Sequence, residues 1–128
     1  MYIKLNKNPS GRNTTDCVIR ALSKTMGESW LTIYDAIYHE ARKKYDMMDA
    51  NHVWIDWAKK HGFRLYALPN SCPECYTVQD FCRDHPTGVY ILGTGSHAIA
   101  VIDGDYYDTF DSGGLVPIFY LRRVANGI

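Results

Sequence analysis

The dipeptide Asp103-Gly104 lies between two short runs, Ala98-Ile-Ala-Val-Ile102 and Asp105-Tyr-Tyr-Asp108, and constrains this chain more than any other stretch. Asp-Gly is among the few dipeptides that readily adopt the two positive φ angles of the tight turn that matches strand twist. The pattern predicts an antiparallel hairpin. Pairing outward from a two-residue turn, Ile102 faces Asp105, Ile99 faces Asp108 and His97 faces Phe110. His97 and Asp108 then share one face as diagonal neighbours about 7 Å apart between Cα atoms, within reach of a carboxylate and an imidazole. A three-residue turn would slip the register and set Asp111 opposite His97. Asp-Gly selects the shorter turn, and with it Asp108.

An imidazole and a carboxylate are two members of a nucleophile–base–orienter set. The third is Cys17. Thr14 or Thr15 can cap a helix in which Cys17, Val18, Ala21, Leu22 and Met26 recur at helical spacing until Gly27 ends it. Cys17 thus falls in the first turn, where the helix dipole and unpaired N–H groups favour a thiolate. Asp16 beside it opposes that charge unless Arg20, four residues on, neutralises it. The same position also suits a small buried thiol with no chemical role.

The remaining chain reads as helices followed by strands. Residues 2–5 form a short edge strand. Ser29 opens a helix whose apolar stripe comprises Trp30, Ile33, Tyr34, Ile37, Tyr38 and Ala41, with Glu40, Arg42, Lys43 and Lys44 on a solvated side. A third helix over 49–61 buries Val53, Trp54, Trp57 and Ala58, and Gly62 stands where a left-handed residue ends it. A strand follows over 63–68, then a short helix capped by Thr77 and stopped by Pro86. Val89-Tyr-Ile-Leu92 is a strand buried on both faces, and Val116 to Val124 makes a last one with Pro117 near its start. Helices first and a mostly antiparallel sheet after make an α+β domain of two lobes, helical over about 1–62 and sheet over about 63–128.

At 128 residues with 46% hydrophobic content, one such domain can bury its own core. The formal net charge is zero, which removes the footprint of a general nucleic-acid binder. No nucleic-acid partner is expected. With no signal-like start and no long apolar run, no membrane association is expected either, and the expected location is cytoplasmic, with four reduced cysteines. One pattern competes. Cys72-x2-Cys75-x6-Cys82-x2-His85 offers four zinc-competent side chains, although Cys82 falls inside a short amphipathic helix beside Val78 and Phe81, where a core thiol is the ordinary expectation. The other histidines, His39, His52 and His61, read as surface or helix-end residues, and Ser96 directly precedes the histidine it would need as a nucleophile's base.

Cysteine on an early helix, histidine opening a strand and aspartate on the next strand resemble, in that order, the papain-like cysteine peptidase superfamily. Asn13-Thr-Thr-Asp-Cys-Val-Ile-Arg-Ala21 and Ser96-His-Ala-Ile-Ala-Val-Ile-Asp-Gly-Asp-Tyr-Tyr-Asp108 are similar to the N- and C-terminal words of small phage and bacterial proteins of that superfold. Asp108-Thr-Phe110 is similar to the word after the third catalytic residue of papain-type enzymes. The resemblance implies a papain-like fold and a thiol protease or amidase in which Cys17 attacks a carbonyl, His97 acts as base and then acid, and Asp108 orients the ring. It implies a peptide, isopeptide or amide substrate, host proteins included, and no cofactor. Gly11 occupies the place of the family's oxyanion glutamine, so Asn13 is the candidate amide donor, together with the Cys17 backbone N–H. Three alternatives remain open: acyl transfer on the same triad, as in transglutaminases; a non-catalytic interaction protein; and a zinc-stabilised interaction module.

Overall fold

The computed structural model describes residues 1–124. It is α+β: β1 (Tyr2–Lys4), α1 (Cys17–Met26), α2 (Trp30–Lys44), α3 (Asn51–Lys60), β2 (Phe63–Ala67), α4 (Val78–Asp84), β3 (Val89–Gly93), β4 (Ala98–Ile102), β5 (Asp105–Asp108) and β6 (Phe119–Arg123). The six strands form one sheet in the order β1-β5-β4-β3-β6-β2. Every neighbouring pair is antiparallel except β1 with β5, which is parallel.

Alternation along β3 and β4 divides the core in two. Ile91, Ala98 and Ala100 face the helical layer of α1, α2 and α3, while Tyr90, Leu92, Ile99 and Val101 face Val78, Phe81 and Cys82 of α4. Each large aliphatic side chain sealed in these layers, Leu22, Ile37 and Ile91 among them, contributes roughly 1.5–3 kcal/mol of burial. The alanines of β4 are small, which lets α1 pack closely over that strand and brings its first residue to the end where His97 precedes β4.

The hairpin turn is Asp103-Gly104, with φ of 50° and 81°, and β4 pairs with β5 through Ile102–Asp105, Val101–Tyr106 and Ala100–Tyr107. The lobes expected from chain order differ from what is seen. β1 belongs to the sheet, and α4 covers the sheet face opposite the other three helices, so the helical and strand halves share one sheet and two cores. The last four residues of the expected sheet lobe lie outside the described residues.

Two features of α2 also differ. Tyr34 and Tyr38 are exposed, and the buried stripe is Ile33, Ile37, Glu40 and Ala41. Glu40 is only 3% exposed because Lys60 of α3 reaches it at 3.1 Å, with Lys43 at 3.5 Å and Lys44 at 3.6 Å. The cap of α1 is Asp16 rather than a threonine, and its carboxylate makes no capping bond. Thr77 caps α4 as expected, in a reciprocal box with Asp80.

Candidate active site

Cys17 is the first residue of α1, His97 immediately precedes β4, and Asp108 ends β5. These three residues come from sequence positions far apart and meet where α1 begins above the sheet. His97 Nε2 lies 2.6 Å from Asp108 Oδ2, which leaves Nδ1 of the ring for the thiol. Thr109 N–H donates to Asp108 Oδ1 at 2.8 Å, and Arg20 Nη1 donates to the same oxygen at 2.9 Å. The Asp108 backbone is held by β1: Leu5 N–H donates to its carbonyl at 2.9 Å, and the Tyr2 hydroxyl donates to that carbonyl at 3.2 Å. The N-terminal strand therefore buttresses the carboxylate that orients His97.

Arg20 links both carboxylates of the site. Its Nε donates to Asp16 Oδ1 at 2.7 Å while Nη1 holds Asp108, and Trp30 Nε1 donates to Asp16 Oδ2 at 2.9 Å. Asp16 is thereby fully occupied away from the helix end it precedes. The first backbone bond of α1 runs from Arg20 N–H to Asp16 O, so the N–H groups of Cys17, Val18 and Ile19 have no partner within the helix. An uncapped helix start beside a nucleophile is a ready source of donors for a developing negative charge.

The electrostatics follow from these contacts. Burial by itself would push the Cys17 thiol up. Interaction of its sulfur with the His97 ring and with the Ala98 backbone N–H, and the positive charges of His97 and Arg20, bring it below the ordinary thiol value. His97 moves the opposite way: burial would depress it, but its bonds to Asp108 and Cys17 raise it to about 9. Burial would raise Asp108, yet His97 and Arg20 hold it below the usual carboxylate range. Ser112 Oγ is buried nearby without a hydrogen-bond partner among the described residues. The combined directions favour a thiolate beside an imidazolium.

A cavity of about 280 Å³ opens over the thiol, lined by Cys17, Val18, Asn51, Trp54, Gly95 and His97 among others. It shares Thr15, Val18 and Asp49 with an adjoining depression of about 380 Å³ floored by Ile19, Trp30 and Tyr34. That depression in turn shares Tyr34, Met47 and Met48 with a groove of about 880 Å³ along the outer side of α2. That groove does not contain the thiol, which lines the smaller cavity beyond the intervening depression.

Asn13, expected as the oxyanion donor, is exposed in the loop before α1 and does not line this cavity. The amide that does is Asn51, on α3, and no spacing in the sequence connects it to Cys17. Asp111 turns away from His97, accepting from the Tyr106 hydroxyl at 2.5 Å and from Gly113 N–H at 3.0 Å. The four zinc-competent residues are not assembled. Cys72 and Cys75 are joined in a disulfide, because the intervening turn brings their Cα atoms to 4.1 Å, which replaces the expected pair of free thiols. Cys82 is buried against β5, and His85 stacks on Phe81 while its Nδ1 lies 2.8 Å from the Phe81 carbonyl. Among the described residues no group of three or more histidine, cysteine or acidic side chains is placed to hold a metal ion.

No protein-family model matches the chain, and comparison with curated proteins and with solved structures returns no match for either. Among the described residues no helix is long and apolar enough to cross a membrane.

Proposed function

We propose that this chain is a cysteine hydrolase of papain-like architecture that cleaves peptide, isopeptide or amide bonds through an acyl-enzyme on Cys17. The observation that carries this reading is the linked series Cys17, His97, Asp108, Arg20, in which each group fixes the protonation or orientation of the one before it. The Cys17 thiolate attacks the substrate carbonyl carbon, and the carbonyl π pair moves onto oxygen. His97, charged at the outset, gives its Nδ1 proton to the departing amine as the carbon–nitrogen bond breaks. Water then attacks the thioester, loses a proton to His97, and expels the thiolate to leave a carboxylic acid. Asp108 holds the ring in the tautomer and orientation both proton transfers require.

The chain of depressions leading from Cys17 over Trp30 and Tyr34 favours an extended substrate, such as a polypeptide segment, over a compact one. Exposed Tyr34 and Tyr38 stack in series on Trp30, with ring centroids 5.0 Å and 6.4 Å apart, and offer that segment an apolar floor.

Trapping the intermediate tests this. Mixed with p-nitrophenyl acetate, the protein is expected to acquire an acetyl group on Cys17, located by peptide mass spectrometry, and to release acetate with turnover. Cys17→Ala and His97→Ala should each abolish turnover. Acetylation spread evenly over other nucleophiles, or turnover surviving Cys17→Ala, would remove the proposal.

A further inference from the structure

We infer that the side-chain amide of Asn51 is an oxyanion donor, placing a hydrogen-bonding group from α3 in the wall of the cavity that holds the thiol and supplementing the uncapped N–H groups of α1. The inference rests on the cysteine-hydrolase reading and adds a residue to it.

Three observations support it. Asn51 is the first residue of α3 and lines the same cavity as Cys17, His97 and Gly95. Its orientation is fixed by Trp54, whose indole Nε1 donates to Asn51 Oδ1 at 3.1 Å. An indole N–H can only donate, so the amide oxygen must face the tryptophan and Nδ2 must face away. Trp54 is buried at 2% exposure, which makes it a rigid anchor for that choice. Nδ2 then has no hydrogen-bond acceptor among the described residues, in a cavity whose wall holds the thiol.

The chemistry gives that donor a use. When the thiolate adds to a carbonyl, the negative charge passes from sulfur to oxygen, and donors already in place stabilise it at little reorganisation cost. Asn51 Nδ2 and the Cys17 backbone N–H are two such donors on different elements. Collapse of the adduct re-forms the carbonyl and expels the leaving group, and the amide releases its hydrogen bond without exchanging a proton.

Two reagents separate this role from the reactivity of the thiol. Iodoacetamide is displaced at a saturated carbon, so its rate reports the thiolate without forming an oxyanion. p-Nitrophenyl acetate forms one. In Asn51→Ala, acylation should fall about 100-fold while alkylation stays within twofold of wild type, the latter also showing that fold and ion pair are intact. Trp54→Phe, which keeps Asn51 but frees its amide to turn over, should lie between. Equal loss in both reactions, or normal acylation, would overturn the inference. Alkylation insensitive to His97→Ala would instead count against the hydrolase reading itself, whatever Asn51→Ala does.

Discussion

Arg20 holds two carboxylates at once, and its removal would leave Asp16 buried without a countercharge and Asp108 with His97 alone. Asp16 and Asp108 are each nearly sealed from solvent, so Arg20→Ala is expected to cost about 3 kcal/mol or more in urea unfolding. It should also slow Cys17 alkylation at pH 7, because a positive charge that lowers the thiol pKa is lost and Asp108 no longer sits squarely under His97. A loss under 1 kcal/mol with unchanged alkylation would show that the bridge is incidental. Half of this bridge was readable from sequence: Asp16 and Arg20 stand four apart on a helix. The other half was not, since Arg20 and Asp108 come together only when α1 is laid on β4. Asn51 likewise reaches the cavity of Cys17 only through the packing of α3, whereas Asn13 is near Cys17 along the chain alone.

At the scale of elements, the hairpin was the most legible part of the chain. Asp-Gly fixes the turn, the turn fixes the register, and the register places Asp108 beside His97 and Asp111 beside Tyr106. The end of α1 followed from Gly27 and the start of α4 from Thr77, but α1 begins after Asp16 and not after a threonine. Exposure did not follow: the period-3.6 stripe could not separate buried Ile33 and Ile37 from their exposed neighbours Tyr34 and Tyr38, and the lysine that draws Glu40 inward belongs to another helix. Strand packing carries its own prediction. A Cβ at Gly93 would overlap the ring of Phe119 on the paired strand, so Gly93→Ala should destabilise by about 1–3 kcal/mol. The cost should shrink in a Phe119→Ala background; an equal cost in both would assign it to the backbone instead. Thr77→Ala, which opens the capping box of α4, should cost about 1 kcal/mol in the same assay.

For the whole molecule, folding and chemistry share groups, and pH is where they meet. Glu40 and Asp108 both titrate below their ordinary values, so each stabilises the fold above the unfolded carboxylate pKa of about 4 and stops doing so as pH falls through its lowered value. The urea midpoint should therefore drop on acidification from pH 5 to 2, with a shallower drop in Glu40→Gln. The α+β class was legible because helical and strand periods separate along the chain. The single sheet was not, because β1 joins β5 across almost the full sequence, and no local pattern records a parallel partner that distant. The central claim is that Cys17 and His97 form an ion pair in one cavity. Its most direct measurement is the rate of Cys17 alkylation by iodoacetamide against pH, in wild type and in His97→Ala. The account predicts a thiol titrating below its ordinary value in wild type, a second step at about 9 as His97 loses its proton, and in His97→Ala a single step at a higher pH. An ordinary thiol profile that is the same in both proteins would contradict it.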